Sequence, residues 1–219
     1  MLCETQGSML VKICGLTGLE DAAAALDLGA DFLGFVLYRG SPRCTSGLRL
    51  RHIRERLPAG ARVVGVFVNS SRTEILEIAR DCGLDAVQLH GKESPGEFAD
   101  MPVPVWRAIS FREGKPSPRP DSWAADRYLI DAALERKLRG AGGITDWKSA
   151  AIFCRAWPSF LAGGLDANNV TAAIRAVRPL GVDVAGGVEE RPGKKDRRKM
   201  ELFIRNAKSV LPDAEENRS

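Results

Sequence analysis

Short apolar runs rich in β-branched residues recur at 10–13, 32–37, 63–68, 86–89, 103–109, 128–130, 160–161 and 182–184. Most are apolar at consecutive positions rather than alternate ones, the pattern of strands covered on both faces. Polar, helix-forming stretches separate them, and several carry start signals. Thr17-x-x-Glu20, Ser71-x-x-Glu74 and Ser94-Pro95-x-Glu97 read as capping boxes, with Pro95 at the favoured first helical position. Glycines after Leu28, Cys82 and Leu180 read as left-handed helix ends just ahead of the next strand. Strand and helix thus alternate about eight times, which implies a parallel sheet. That repeat count within 219 residues favours a single (β/α)8 barrel over an open doubly wound sheet. The proline-rich stretch 111–121 predicts a fifth helix that is short or replaced by a loop. The barrel is expected over 9–211, with flexible ends at 1–8 and 212–219.

Composition narrows the class of function. A net charge of +4 is modest, and the basic residues are dispersed apart from Lys194-Lys195 and Arg197-Arg198-Lys199. That argues against a nucleic-acid partner. No apolar stretch approaches the roughly 18 residues a membrane span needs. No charged-then-apolar leader opens the sequence, so a cytoplasmic location is expected. The five cysteines are widely spaced without a Cys-x-x-Cys pair, and His52 and His90 lie far apart. Neither a disulfide framework nor a metal site is expected.

In a barrel the carboxyl ends of the strands share one pocket. The first strand ends at Lys12 and Cys14, two residues apart and therefore on one face. The sixth ends at Asp131 after an apolar run. Taken alone, Cys14 is as readily a small buried hydrophobe as a base or nucleophile, and Asp131 could cap the next loop. Facing each other across a mouth they form an acid–base pair. Apolar surroundings would raise the Asp131 pKa, and the Lys12 cation would increase the thiolate fraction of Cys14. Gly163-Gly164 and Gly186-Gly187 close the last two strands, where barrels frequently bind phosphate. Without a nucleotide-binding fingerprint, they favour a small phosphorylated metabolite. Arg43 has the shape to clamp a carboxylate or phosphate. His90 could orient a neighbour, or line the pocket through a hydrogen bond to Asp183 or to backbone. The other four cysteines read as incidental, and the tryptophans as packing at helix–strand contacts.

The run Lys12-Ile13-Cys14-Gly15-Leu16-Thr17, with Gly34-Phe35, Ser41-Pro42-Arg43, Gly65-Val66-Phe67-Val68-Asn69, Val87-Gln88-Leu89-His90-Gly91, Ala162-Gly163-Gly164-Leu165, Gly181-Val182-Asp183-Val184, Gly187-Val188-Glu189 and Pro192-Gly193-Lys194-Lys195-Asp196, resembles the N-(5′-phosphoribosyl)anthranilate isomerases in order over 11–208. The resemblance implies a cofactor-free Amadori rearrangement of a phosphosugar in tryptophan biosynthesis. It implies Asp131 as acid, Cys14 as base and Arg43 on the anthranilate carboxylate. The two glycine pairs would hold the phosphate, and Asp183 would touch the sugar; Lys12 and His90 belong to the same binding set. Monomers and homodimers are both compatible with it.

Several positions depart from the family's wording. Residues 140–147, a lid candidate, lack the usual lysine and first hydroxyls. Ala162 and Ala185-Gly186 replace serines before and within the two glycine pairs, and an arginine stands where a lysine is frequent near Arg39-Gly40. A diverged barrel that binds a phosphosugar without turning it over is the alternative. A histidine-pathway isomerase would need an aspartate at Cys14, and an indole-glycerol-phosphate synthase a catalytic lysine–glutamate set and a longer N-terminal region.

Overall fold

The computed structural model describes residues 9–131 and 146–210. The expectations for the flexible ends and for most of the lid candidate lie outside the described residues. Eight parallel strands form the wall: β1 (Leu10–Cys14), β2 (Phe32–Val36), β3 (Val63–Phe67), β4 (Ala86–Leu89), β5 (Val105–Arg112), β7 (Arg127–Asp131), β8 (Ser159–Ala162) and β9 (Gly181–Val184). They pair in ring order, and β4 against β5 closes the ring. Between them lie α1 (Leu19–Asp27), α2 (Gly47–Arg54), α3 (Arg72–Cys82), α4 (Trp147–Ala156) and α5 (Val170–Val177); α6 (Arg197–Lys208) follows β9. The chain is a (β/α)8 barrel.

The fifth helix is replaced, as the prolines require. β5 runs on into a hairpin with β6 (Lys115–Ser117), followed by a 3-10 turn at Pro120–Ser122. The fourth helix is reduced as well. Ser94-Pro95 starts only a 3-10 turn, Pro95–Phe98, which buries Phe98 and stops short of Pro102 and Pro104. Near the C-terminus, β10 (Glu189–Arg191) and β11 (Lys194–Lys195) make a small hairpin that precedes α6.

The caps divide into those the pattern anticipates and those it misplaces. Ser71 caps α3 by accepting from the Glu74 N–H, and Gly83 ends that helix in the left-handed region. Thr17 does not cap α1: the cap residue is Gly18, and the Thr17 hydroxyl donates instead to the Gly193 carbonyl at 2.7 Å. Nor is Gly181 a helix end. α5 stops at Val177, with Arg178 in the left-handed region, and Gly181 is the first residue of β9. A side chain there would collide with the Phe160 ring and the Leu10 carbonyl, at 2.5 and 2.8 Å.

The floor of the barrel is aromatic. Phe32, Trp106 and Phe160 come from β2, β5 and β8, yet their ring centroids lie 4.8–5.8 Å apart, which is possible only inside the ring. Trp106 therefore fills the interior rather than a helix–strand seam. The Arg62 and Arg127 guanidinium groups stack on Phe32 at 4.1 and 5.3 Å. Outward residues such as Val11, Ile13, Val63 and Val182 pack beneath the helices in a second, larger core.

A repeated device pins the amino ends of strands. Asp31, Asp85 and Asp126, each just ahead of its strand, accept from the first or second N–H of the preceding strand, at Val11, Val63 and Val105. Their own N–H groups return bonds to the carbonyls of the same three residues. This end of the barrel is thus fixed by stability-bearing contacts, and the opposite end is left to carry the chemistry.

Gly181→Ala should lower stability by about 1–3 kcal/mol, the cost of overpacking a filled core. Gly60→Ala, with nothing near its missing side chain, should be close to neutral. Urea denaturation midpoints of the two variants check the contrast.

Candidate active site

Strand register builds the site. Parallel pairing sets Lys12 beside Asp183 and beside Phe32, and Cys14 beside Gly34, so all five share the inner face. Lys12 is wholly buried, and its ammonium donates to Asp183 Oδ1 at 2.8 Å. Gly34 makes room for this cluster: a side chain there would lie 2.8 Å from Cys14 Sγ and 2.9 Å from Lys12 Nζ.

Electrostatics at Cys14 oppose one another. Burial pushes the thiol up, Lys12 pulls it down, Asp183 pushes it up again, and Lys195 pulls weakly down; the balance is upward. The Lys12 cation does favour thiolate, as its place on the strand predicts. It does not win, because the same cation is shared with Asp183 and the thiol is dry. Lys12 itself is held above the ordinary lysine value, since Asp183 and Cys14 together outweigh the cost of its burial. The lysine stays charged.

Asp131 ends β7 on the other side of the ring, and its Oδ2 lies 3.1 Å from His90 Nε2. Gln88 Nε2, buried inside β4, is 3.1 Å from His90 Nδ1. His90 therefore orients Asp131 and not Asp183, which Lys12 already engages. The apolar setting expected of Asp131 is replaced, in part, by an imidazole.

The loop carrying His90 is itself clamped. Arg107 on β5 donates to the Leu89 and Gly91 carbonyls at 2.9 and 2.7 Å and to Glu93 at 2.6 Å, and it stacks on Trp123. Glu93 also accepts from the Gly91 and Asn69 N–H groups. Neither Arg107 nor Glu93 belongs to a motif in the sequence; the one signal is a charged residue, Arg107, inside an apolar strand.

The two glycine pairs come together because β8 and β9 are neighbours. Gly163 and Gly164 have φ of +86° and +72°, a conformation that other residues rarely adopt. Gly187 packs so tightly on the Leu165 carbonyl that any side chain would overlap it. Arg43 lies across this end of the barrel between the loops after β1 and β9. Its aliphatic stem covers Gly15, where an added side chain would be 2.5 Å from Cδ, and its Nη2 is 3.4 Å from the same point at Gly186. Arg43, whose shape suits it to clamp a carboxylate or phosphate, already grips one within the chain: Nε and Nη2 donate to the two Glu189 carboxylate oxygens at 2.8 and 2.7 Å. Glu189 and its second partner Lys195 sit in motifs the sequence singles out, but without a role.

Cys44, Cys82 and Cys154 are free thiols, and burial pushes Cys154 up to about 12. Cys3 lies outside the described residues. Among the described residues, no three His, Cys, Asp or Glu side chains are grouped to hold a metal, and no helix is long and apolar enough to cross a membrane.

Comparison with known proteins points to one family. The profile of the N-(5′-phosphoribosyl)anthranilate (PRA) isomerase family matches residues 11–206. The N-(5′-phosphoribosyl)anthranilate isomerase of Pelobacter propionicus is 43% identical over 204 residues, covering 93% of this chain and 98% of its own. That of Magnetococcus marinus is 42% identical over 194 residues, covering 89% and 92%. Among solved structures, the Thermus thermophilus phosphoribosyl anthranilate isomerase superposes with a TM-score of 0.80 at 35% identity, over 90% of this chain and 98% of that one. A phosphoribosyl anthranilate isomerase in complex with reduced 1-(o-carboxyphenylamino)-1-deoxyribulose 5-phosphate gives 0.78 at 34% identity, over 92% and 100%. With the lysine–thiol–carboxylate cluster, the glycine pairs and matches along nearly its whole length, the chain belongs to the N-(5′-phosphoribosyl)anthranilate isomerase family.

Proposed function

We propose that this barrel catalyses the Amadori rearrangement of N-(5′-phosphoribosyl)anthranilate in tryptophan biosynthesis, with Asp131 as general acid and Cys14 as general base. Asp131 gives a proton to the ribose ring oxygen, and the aminoaldose opens to a Schiff base. Cys14 then removes the C2′ proton to leave an enolamine. Ketonisation places a proton on C1′ and yields the aminoketose. No bond forms between Cys14 and the substrate.

The observation that carries this reading is the cluster of Lys12, Cys14 and Asp183 on one inner face, at the same end of the barrel as the Asp131–His90 pair. A thiol pushed up by burial is a stronger base once ionised, and the fixed Lys12 ammonium is there to stabilise the thiolate as it forms. His90, held by Gln88, sets the direction of the Asp131 carboxyl. Arg43 takes the anthranilate carboxylate, and the loops at Gly163-Gly164 and Gly186-Gly187 take the phosphate through backbone N–H groups. Asp183, whose Oδ1 holds Lys12, meets the sugar through its other oxygen. The free thiols support work in a reducing cytosol. A relative from Thermotoga maritima is described as dimeric, and this chain is read as a monomer or homodimer.

The purified protein should quench the anthranilate fluorescence of its substrate as the aminoketose forms, whereas a binding-only barrel would leave the uncatalysed decay unchanged. Cys14→Ser and Asp131→Asn should each reduce turnover about 10²–10⁴-fold. Full activity in Asp131→Asn would exclude it as the acid.

The charge balance at the thiol gives a second expectation. A base acts only when deprotonated, so with Cys14 above its ordinary value kcat/KM should climb as pH rises through neutrality. Lys12→Met removes the cation that pulls the thiol down and leaves Asp183 to push it further up. Thiolate absorbance, taken as the difference from a Cys14→Ser background, should therefore titrate at higher pH in Lys12→Met. A downward displacement would contradict the assigned role of Lys12.

A further inference from the structure

Glu189 is almost wholly buried at the end of the barrel that carries Cys14; Lys199 donates to its backbone carbonyl at 2.8 Å, and its carboxylate has two further cationic partners. Arg43 binds it side-on through Nε and Nη2 at 2.8 and 2.7 Å. Lys195, fully buried, donates to Oε1 at 2.9 Å and to the Ala185 carbonyl at 3.1 Å, and the Gly193 N–H adds a bond at 3.2 Å. One carboxylate therefore faces two cations. Lys195 alone suffices to neutralise it, so the Arg43 charge is in excess. Arg43 is also the one of the three that reaches solvent, its side chain 26% exposed against 4% for Glu189 and none for Lys195.

An excess positive charge at the edge of a pocket attracts an anion, and the geometry restricts which kind. The side-on edge of the guanidinium is taken, and Gly15 and Gly186 confine its stem and its Nη2. What remains is the end-on edge of Nη1 and Nη2, a planar fork suited to a carboxylate. An arginine solvated on both edges would lose that fixed plane to side-chain rotation.

We infer that Glu189 is a positioning residue for the substrate carboxylate: clamped by Lys195, it occupies one edge of Arg43 and presents the other in a fixed plane. This rests on the reading of Arg43 as the anthranilate carboxylate site, and it adds the device that makes the site selective. Glu189 itself touches no substrate.

The test compares two ligands by calorimetry. One is the reduced aminoketose phosphate named above, which bears the ring carboxylate; the other is its phenylamino counterpart without that group. Glu189→Gln should weaken the carboxylate-bearing ligand roughly 10- to 100-fold, the range for loss of a well-placed charge-assisted contact. The counterpart should be affected less than about twofold if only the carboxylate contact has changed. Glu189→Asp, charged but too short to grip both nitrogens, should fall between wild type and Glu189→Gln. Equal weakening of both ligands would reduce Glu189 to a structural role and overturn the inference. So would unchanged or tighter binding of the carboxylate ligand, the latter marking Glu189 as its competitor.

Arg43→Met separates the two levels. If it abolishes the preference for the carboxylate while Glu189→Gln leaves that preference intact, Arg43 keeps its role and Glu189 loses its own. If neither variant changes the preference, both assignments fall. Should Glu189→Gln fail to fold with Lys195 left unpaired, the double variant Glu189→Gln/Lys195→Met removes both buried charges and should show the same carboxylate-specific loss.

Discussion

The buried ion pair between Lys12 and Asp183 is the constraint on which the active end of this barrel depends. Two charges leave water inside the ring, at an effective cost of several kcal/mol each, and only close contact between them offsets it. That contact requires β1 and β9 to pair in one register, Lys12 opposite Asp183. A slip of β1 by one residue would turn Lys12 and Cys14 outward and bring Val11 and Ile13 in. On its other side β1 pairs with β2 so that Cys14 stands opposite Gly34, where there is space for a thiol and an ammonium and nothing larger. The proposed catalytic arrangement is in this sense a consequence of strand pairing.

The two ends of the barrel use different physics. The amino end is closed by three aromatic rings packed edge-to-face and tilted, and by aspartates that tie successive strands together, all contacts that favour a single packing. Among the described residues the carboxyl end holds Lys12 buried with Asp183, Arg107 buried with Glu93, and the partly exposed Arg43 with buried Glu189 and Lys195. Hydrophobic side chains of similar volume could stabilise such positions at least as well. What the charges supply is direction. Arg107 fixes the His90 loop, His90 aims Asp131, and Glu189 aims Arg43. In the proposed mechanism Asp131 and Arg43 are thus each held in place by a second side chain.

Much of this was legible in the sequence, for identifiable reasons. Strands covered on both faces are continuous apolar runs, so all eight were visible, and the prolines of 111–121 announced the missing helix. Cys14, Asp131 and the glycine pairs could be read because they stand at strand ends, a place that local pattern defines. Partners were not legible. Lys12 and Asp183 are 171 residues apart in the chain, and Arg43 and Glu189 are 146 apart, so only the closed ring reveals that they meet. The misread caps have the same origin. Thr17 and Gly181 satisfy local rules for a helix start and a helix end, but Thr17 is drawn to the Gly193 carbonyl and Gly181 is needed where Phe160 leaves no room.

Cys14 is the proposed group that takes the C2′ proton. Replacing the thiol by the far weaker base of Cys14→Ser should make that bond cleavage limit the rate. Single-turnover rates of this variant with substrate deuterated at C2′ measure the point directly. A rate several-fold slower than with the protiated substrate is the predicted result. A variant that is equally slow with either isotope would show that the thiol serves a different step, and would contradict the mechanism.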